Sequence, residues 1–422
     1  MQGCVYESEG VVSEIQPTTQ IIDREPGLGV AMGLLARRCG SALMAALLAF
    51  GMAQPAVAAA QQGDPGSAGS LDVAGSLRAP DWDSVPAGPR EDDFGTAFRR
   101  SLLNPAMLPD GVNDWDCTPS PEHPNPVVLV HGTWSNAYTM WSALAPELVE
   151  EGYCVYALNY GDENQSLVGL VPGLYASRGL VESSTEVAAF VERVLDETGA
   201  SKVDMVGHSQ GGTQLQLYIQ RHGGDQTVER MVGVNPNTHG TSLLGIGTLG
   251  WTLDDAGSLG IGSVLGSANV SDPGLMATVG LVIGPAGVQQ AIGSPVIEEM
   301  IDAGDTRPGL DYTIITSRYD EVVTPYPGQF LVAGPGATVR NILLQDGCTE
   351  DRSDHLSATY SLRGKELIKQ GLDPARRGQP VPCEVVVPGG GQGWPGAPVG
   401  SVSPSLAAVG GSAASVTDGE GS

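Results

Sequence analysis

Val203-Asp204-Met205-Val206-Gly207-His208-Ser209-Gln210-Gly211 is the stretch on which the reading of the whole chain turns. Its first four residues form a short apolar run, of the kind that suits a strand buried on both faces. Beyond Gly211, residues Thr213, Leu217 and Tyr218 recur at helical spacing. Between strand and helix stands Gly-x-Ser-x-Gly. That string places a serine on a tight, strained turn with its hydroxyl presented outward, and the flanking glycines let strand and helix approach closely. The string alone is weak in a chain with 59 glycines, where an ordinary glycine-rich turn reads the same. It occurs once, with a strand before it and a helix after it, and that context favours Ser209 as a nucleophile.

Working outward, further apolar and β-branched runs occur at Val127–Val130, Val155–Leu158, Met231–Val234, Tyr312–Ile315 and Val339–Leu344. Helical stretches separate several of them. The clearest is 184–198, where Val187, Val191, Val194 and Leu195 form one apolar stripe. Ser183 and Glu186 have the spacing of a capping box at its start, and Gly199 sits where a left-handed C-cap belongs. Strand and helix in alternation predict a mostly parallel central sheet with helices on both faces. One domain is expected over 101–387. Residues 61–100, rich in Gly, Pro, Ser and Asp, read as a flexible leader, and 388–422 as a disordered low-complexity tail. The stretch 240–300 breaks the alternation. It is crowded with Gly, Leu, Ile and Val, carries few charges, and reads as an apolar cap or lid over the active edge of the sheet.

A serine nucleophile needs a base, an acid to orient it, and donors for the oxyanion that forms on attack. His131-Gly132-Thr133-Trp134 directly follows the run Pro126–Val130, the place where an oxyanion loop belongs. The candidate donors are the N–H groups of Thr133 and Gln210, the Thr133 hydroxyl being a further one; His131 itself reads as structural. In this chain order the histidine comes last. Of the six histidines, at 123, 131, 208, 222, 239 and 355, His355 is the one with room for a strand-borne acid ahead of it. Asp320 follows the run Tyr312–Thr316, at the edge where Ser209 and His355 are expected. Asp311 would lie at the opposite end, and Asp346 and Asp354 stand as alternatives. The expected triad is Ser209, Asp320 and His355.

Asn125-Pro-Val-Val-Leu-Val-His-Gly-Thr133, Gly207-His-Ser-Gln-Gly211, Tyr319-Asp-Glu-Val-Val-Thr-Pro-Tyr326 and Asp354-His355-Leu356 together resemble the secreted class 2 lipases of actinobacteria, over roughly Asn104 to Cys383. The resemblance implies the α/β-hydrolase fold and hydrolysis of carboxylic esters, triacylglycerols among them, with no cofactor. Two stretches depart from it: Asn235-Pro236-Asn237-Thr238-His239-Gly240-Thr241, where relatives have an Ala-Pro form, and the glycine-rich 243–300. A polyester depolymerase or cutinase-like esterase on the same fold is the alternative. A non-catalytic surface protein on this scaffold would have lost a triad member, and all three are present.

Acids outnumber bases by 48 to 21, a formal charge of -27, which excludes nucleic acid and anionic membrane surfaces as partners but not a neutral lipid or ester, even one held at a lipid–water interface. A monomer is expected. Arg37-Arg38, the apolar run Ala42–Phe50 and the small residues Ala56–Ala60 read as a secretory signal peptide over 32–60. The run is too short to span a bilayer, which needs about 20 apolar residues. Residues 1–31 read as an extension upstream of a true start at Met32. In an exported chain the four cysteines 117, 154, 348 and 383 predict two disulfides, for which three connectivities exist. Adjacent parallel strands would bring Cys117 to Cys154, and Cys348 and Cys383 bracket the His355 loop and last helix. No cysteine or histidine spacing suits zinc, and no metal site is expected.

Overall fold

The computed structural model describes Trp82, residues 85–242, Gly245 and residues 273–388, without the side chains of 273–278. The expected N-terminal extension, signal peptide, most of the leader, the tail from 389, and residues 243–244 and 246–272 of the cap region lie outside the described residues.

Six strands form one parallel sheet: β1 (Val127–Val130), β2 (Val155–Leu158), β3 (Val203–His208), β4 (Val228–Val234), β5 (Asp311–Thr316) and β6 (Thr338–Leu343). Their spatial order is β2-β1-β3-β4-β5-β6. Residues that alternate along β1 face opposite layers, which is why its sequence reads as unbroken apolar. Val127 and Leu129 join a core with Leu144, Leu148, Leu367 and Ile368. Val128 and Val130 join another with Val187, Phe190, Val191 and Ile219. Helices Leu144–Glu150 and Leu362–Leu372 therefore cover one face, and Leu180–Thr198 and Gln210–Arg221 the other. After β1 the chain steps outward to β2, then returns across β1 to β3 and continues the other way. The carboxyl ends of β1 and β3 thus form the topological switch point, where open α/β sheets leave a crevice.

Three expectations need correction. The helix placed at 184–198 begins at Leu180, with Gly179 as N-cap and no capping box. Ser183 lies inside it, and Glu186 instead accepts from Gly161 N at 3.0 Å and Arg178 Nη1 at 2.8 Å. The N–H of Leu180 is satisfied by Gln289 Oε1, at 2.7 Å, from 109 residues away in sequence. The far end is as read: Gly199 is left-handed, with φ 67°. Second, the packed chain starts before 101. Helix Phe94–Leu103 is capped by Asp93, which accepts from Thr96 N at 2.8 Å, and it buries Phe94, Ala97 and Phe98 completely. Third, β5 includes Asp311 and β4 starts at Val228, each strand being longer than its apolar run.

The described part of the cap region includes two helices, Pro273–Gln289, broken at Gly284 (φ 81°), and Pro295–Asp302, and Thr241 bridges Ala291 between them. Ile283 is fully buried and Leu281 is exposed. Cys117 is bonded to Cys154 and Cys348 to Cys383. No described helix is long and apolar enough to cross a membrane.

Candidate active site

Ser209 follows β3 directly and is the N-cap of helix Gln210–Arg221. Its backbone, φ 55° and ψ −123°, is a conformation that a residue with a side chain rarely adopts, and such strain persists only where surroundings over-determine it. Here Ser209 N donates to Val234 O at 3.1 Å, while Ser209 O accepts from Asn237 N at 3.0 Å and Gly212 N at 2.9 Å. The glycines of the motif have a steric cause. A Cβ on Gly211 would stand 2.2 Å from Val130 O, so only glycine lets the helix start against the end of β1. A Cβ on Gly132 would stand 2.9 Å from Ser209 Cβ, so the loop after β1 can lie against the serine.

That loop brings Thr133 to Gln210. The Thr133 hydroxyl donates to Gln210 Oε1 at 2.8 Å, and Gln290 Nε2 donates to Thr133 Oγ1 at 2.9 Å. Gln210 is the first residue of its helix, and the leading N–H groups of a helix have no intrahelical acceptor and carry its partial positive charge. His131 is fully buried, and burial pushes its imidazole down to about 4 although the Gly132 carbonyl bond opposes this. It is a neutral structural group.

His355 and Asp320 meet from separate loops. His355 Nδ1 is 3.0 Å from Asp320 Oδ2 and 3.1 Å from Oδ1, with side chains 1% and 0% exposed. Burial disfavours the charged imidazole, but the charge and hydrogen bond of Asp320, with Glu321 and Asp354, outweigh it and raise His355 above the usual histidine range. Asp320 Oδ1 accepts from Val322 N and Val323 N, both at 2.8 Å, and Oδ2 from Gln329 Nε2 at 2.8 Å. The alternative acids are engaged elsewhere. Asp354 caps a turn, accepting from Ser357 N at 2.9 Å, and Asp346 is exposed and lies 3.8 Å from Arg318 Nη2. Burial, then the charges of Asp354 and Asp320, push the neighbouring Glu321 up to about 8. Thr133, Ser209 and His355 line one small cavity, with Phe94, Met140 and Leu356 as apolar walls.

Several supporting residues had escaped the sequence reading. His208 Nε2 donates to His355 O at 2.8 Å, and burial and the His355 charge hold His208 neutral. Asn235, in the left-handed region at φ 44°, donates to Asp354 O at 3.1 Å and His355 O at 3.2 Å and accepts from Ser317 N at 2.8 Å. It ties the end of β4 to the acid and histidine loops. Its signal in the sequence is the departure at Asn235-Pro236. Among the described residues no cluster of His, Cys, Asp and Glu has the arrangement of a metal site.

Comparison with known proteins is consistent with this architecture. A family model described as the alpha/beta hydrolase fold matches residues 125–249. A triacylglycerol lipase of Pseudarthrobacter phenanthrenivorans and one of Burkholderia plantarii are each 33% identical over 92 residues, or 21% of this chain. The match spans about a quarter of those relatives, 25% and 23% of their lengths. Among solved structures, Aspergillus fumigatus lipase B aligns with 19% identity and a TM-score of 0.45, over 66% of this chain and 59% of that one. Bacillus licheniformis lipase BlEst2 in mature form aligns with 18% identity and a TM-score of 0.36, over 56% and 88%. The strand order, the strained serine turn at the switch point and the matching family model give this chain the α/β-hydrolase fold.

Proposed function

We propose that this protein is a secreted serine hydrolase of carboxylic esters, of the triacylglycerol lipase and carboxylesterase kind, and a relative of the secreted class 2 lipases of actinobacteria. The observation that carries the reading is the buried His355–Asp320 pair, opening on the same cavity as the strained turn of Ser209. The reaction follows from the groups present. His355 Nε2 takes the proton of Ser209 as Oγ attacks the ester carbonyl. The N–H groups of Thr133 and Gln210 receive the oxyanion, helped by the Thr133 hydroxyl once it turns from Gln210 Oε1. His355 returns the proton to the departing alcohol, leaving an acyl group on Ser209. Water, deprotonated by His355, then releases the acid. Asp320 holds Nδ1 protonated throughout, so that Nε2 stays free to accept.

Lipid esters are favoured over small acetates by the apolar walls Phe94, Met140 and Leu356 and by the similarity to two triacylglycerol lipases. Export is favoured by the two disulfides, which persist in oxidising compartments. The test is a chain-length series of p-nitrophenyl esters beside emulsified tributyrin, with a fluorophosphonate label on Ser209. Better turnover of butyrate or longer esters than of acetate is expected. A strict preference for acetate with no activity on emulsions would leave a short-chain esterase.

A further inference from the structure

Gln329 is fully buried on the short turn Tyr326–Gln329, and its amide nitrogen bonds both Asp320 Oδ2, at 2.8 Å, and Val323 O, at 3.0 Å. Its orientation is forced, because a flipped amide would set its oxygen against a carboxylate and a carbonyl, which offer no proton. The turn is anchored from outside. Gln329 O accepts from Thr238 Oγ1 at 3.0 Å, and Gly328 O accepts from His239 Nδ1 at 2.7 Å. His239 Nε2 lies 2.9 Å from Asp305 Oδ1. The Asp305 hydrogen bond and the Gly328 carbonyl, acceptors on opposite ring nitrogens, raise His239 above the usual histidine range against the effect of burial. Its pair with Asp305 stands at the outer end of a hydrogen-bonded chain whose inner end is His355.

We propose that Gln329 is a positioning residue of the triad, holding Asp320 Oδ2 against His355 Nδ1, and that the Asp305–His239 ion pair anchors the turn that carries it. The proposal rests on the reading of Ser209, His355 and Asp320 as catalytic. Asp320 has two lone-pair directions on Oδ2, and Gln329 fills one while His355 fills the other. Loss of the amide leaves Oδ2 held by His355 alone, while Oδ1 stays on the Val322 and Val323 N–H groups, and makes the carboxylate a more basic partner. Two effects follow: a poorer geometry at His355, and a tighter hold on the proton that His355 must shed before it can act as base.

The test uses Gln329→Leu, Gln329→Glu and Asp305→Asn in the full chain, reading kcat and KM on p-nitrophenyl butyrate, the acid limb of kcat/KM, and Tm. A charge-assisted hydrogen bond of this kind corresponds to a roughly 10- to 100-fold loss of kcat in Gln329→Leu, with KM little changed. The acid limb should move to higher pH. It should move further in Gln329→Glu, where a second carboxylate beside Asp320 adds negative charge that favours the imidazolium of His355. Asp305→Asn should give a smaller change in the same direction. The other titratable groups facing the pair are Glu321, Asp354 and His208, and every variant retains all three. Folded variants with wild-type kcat and acid limb would overturn the proposal. So would activity losses that track Tm while the acid limb stays fixed, since that is the behaviour of a merely structural residue. Should both Gln329 variants fail to fold, Asp305→Asn decides by the same criteria. An inactive, unlabelled wild-type protein would instead mean that the underlying triad reading is wrong.

Discussion

Replacing Asp320 by Asn changes one atom and should remove nearly all activity, for a reason visible in the hydrogen bonds. The two backbone donors, Val322 N and Val323 N at 2.8 Å from Oδ1, fix which side of the new amide keeps its oxygen. The amide nitrogen must then take the place of Oδ2, 2.8 Å from Gln329 Nε2 and 3.0 Å from His355 Nδ1. A donor now faces His355, so the ring must turn Nδ1 into an acceptor and carry its proton on Nε2. In that tautomer it cannot take the Ser209 proton. Losses of this origin amount to about four orders of magnitude in kcat, roughly 5 kcal/mol of transition-state stabilisation. Steady-state hydrolysis of p-nitrophenyl butyrate measures the loss, and far-UV circular dichroism and Tm establish that the fold is intact. A folded Asp320→Asn protein within tenfold of wild type would refute the tautomer argument and return the acid role to Asp346 or Asp354.

The raised His355 must be neutral to act as base, so kcat/KM should fall as pH drops through a value above the ordinary 6.5 of histidine; a limb centred below 6 would contradict this. The same shift makes His355 contribute stability that is present at low pH and lost as pH rises. Glu321, raised to about 8, has that sign also: its contribution is present below its unfolded value and disappears as pH climbs toward 8. Glu321→Gln should therefore raise Tm at pH 8.5 relative to wild type and leave it little changed at pH 5, and equal effects at both would defeat the reasoning. Phe94→Ala should cost about 3–5 kcal/mol in urea denaturation, as expected for a fully buried phenylalanine. A cost under about 0.5 kcal/mol, the range of surface changes, would mean that helix Phe94–Leu103 is not part of the cooperative unit. Cys117→Ser with Cys154→Ser opens a loop spanning 37 residues and should destabilise by about 4 kcal/mol, read by denaturation with and without reductant.

The parts of the fold that could be read in the sequence are those whose physics is local. An apolar strand followed by a glycine-flanked serine and a helix is decided within nine residues, Val203 to Gly211, and the need for glycine at 207 arises there too, since a Cβ would stand 2.6 Å from Gly211 C. The chain order of nucleophile, acid and base then left few histidines and carboxylates to choose among. What could not be read depends on distant partners. The start of helix Leu180–Thr198 is satisfied by Gln289, while Glu186, whose spacing from Ser183 imitates a capping box, is taken by Gly161 and Arg178. Gln329, Asn235 and His208 look like ordinary polar residues until the loops they join are brought together. Helix Phe94–Leu103 was readable, since Asp93 precedes an apolar stripe of Phe94, Ala97 and Phe98. The Gly-, Pro- and Ser-rich composition of the surrounding stretch 61–100 masks it.

The most direct test of the central claim is to treat the protein with a fluorophosphonate ester and locate the adduct by peptide mass spectrometry while following p-nitrophenyl butyrate hydrolysis. A single adduct on Ser209, formed in step with loss of activity and absent from Ser209→Ala, is predicted. An adduct elsewhere, or ester turnover that survives in Ser209→Ala, would contradict the account.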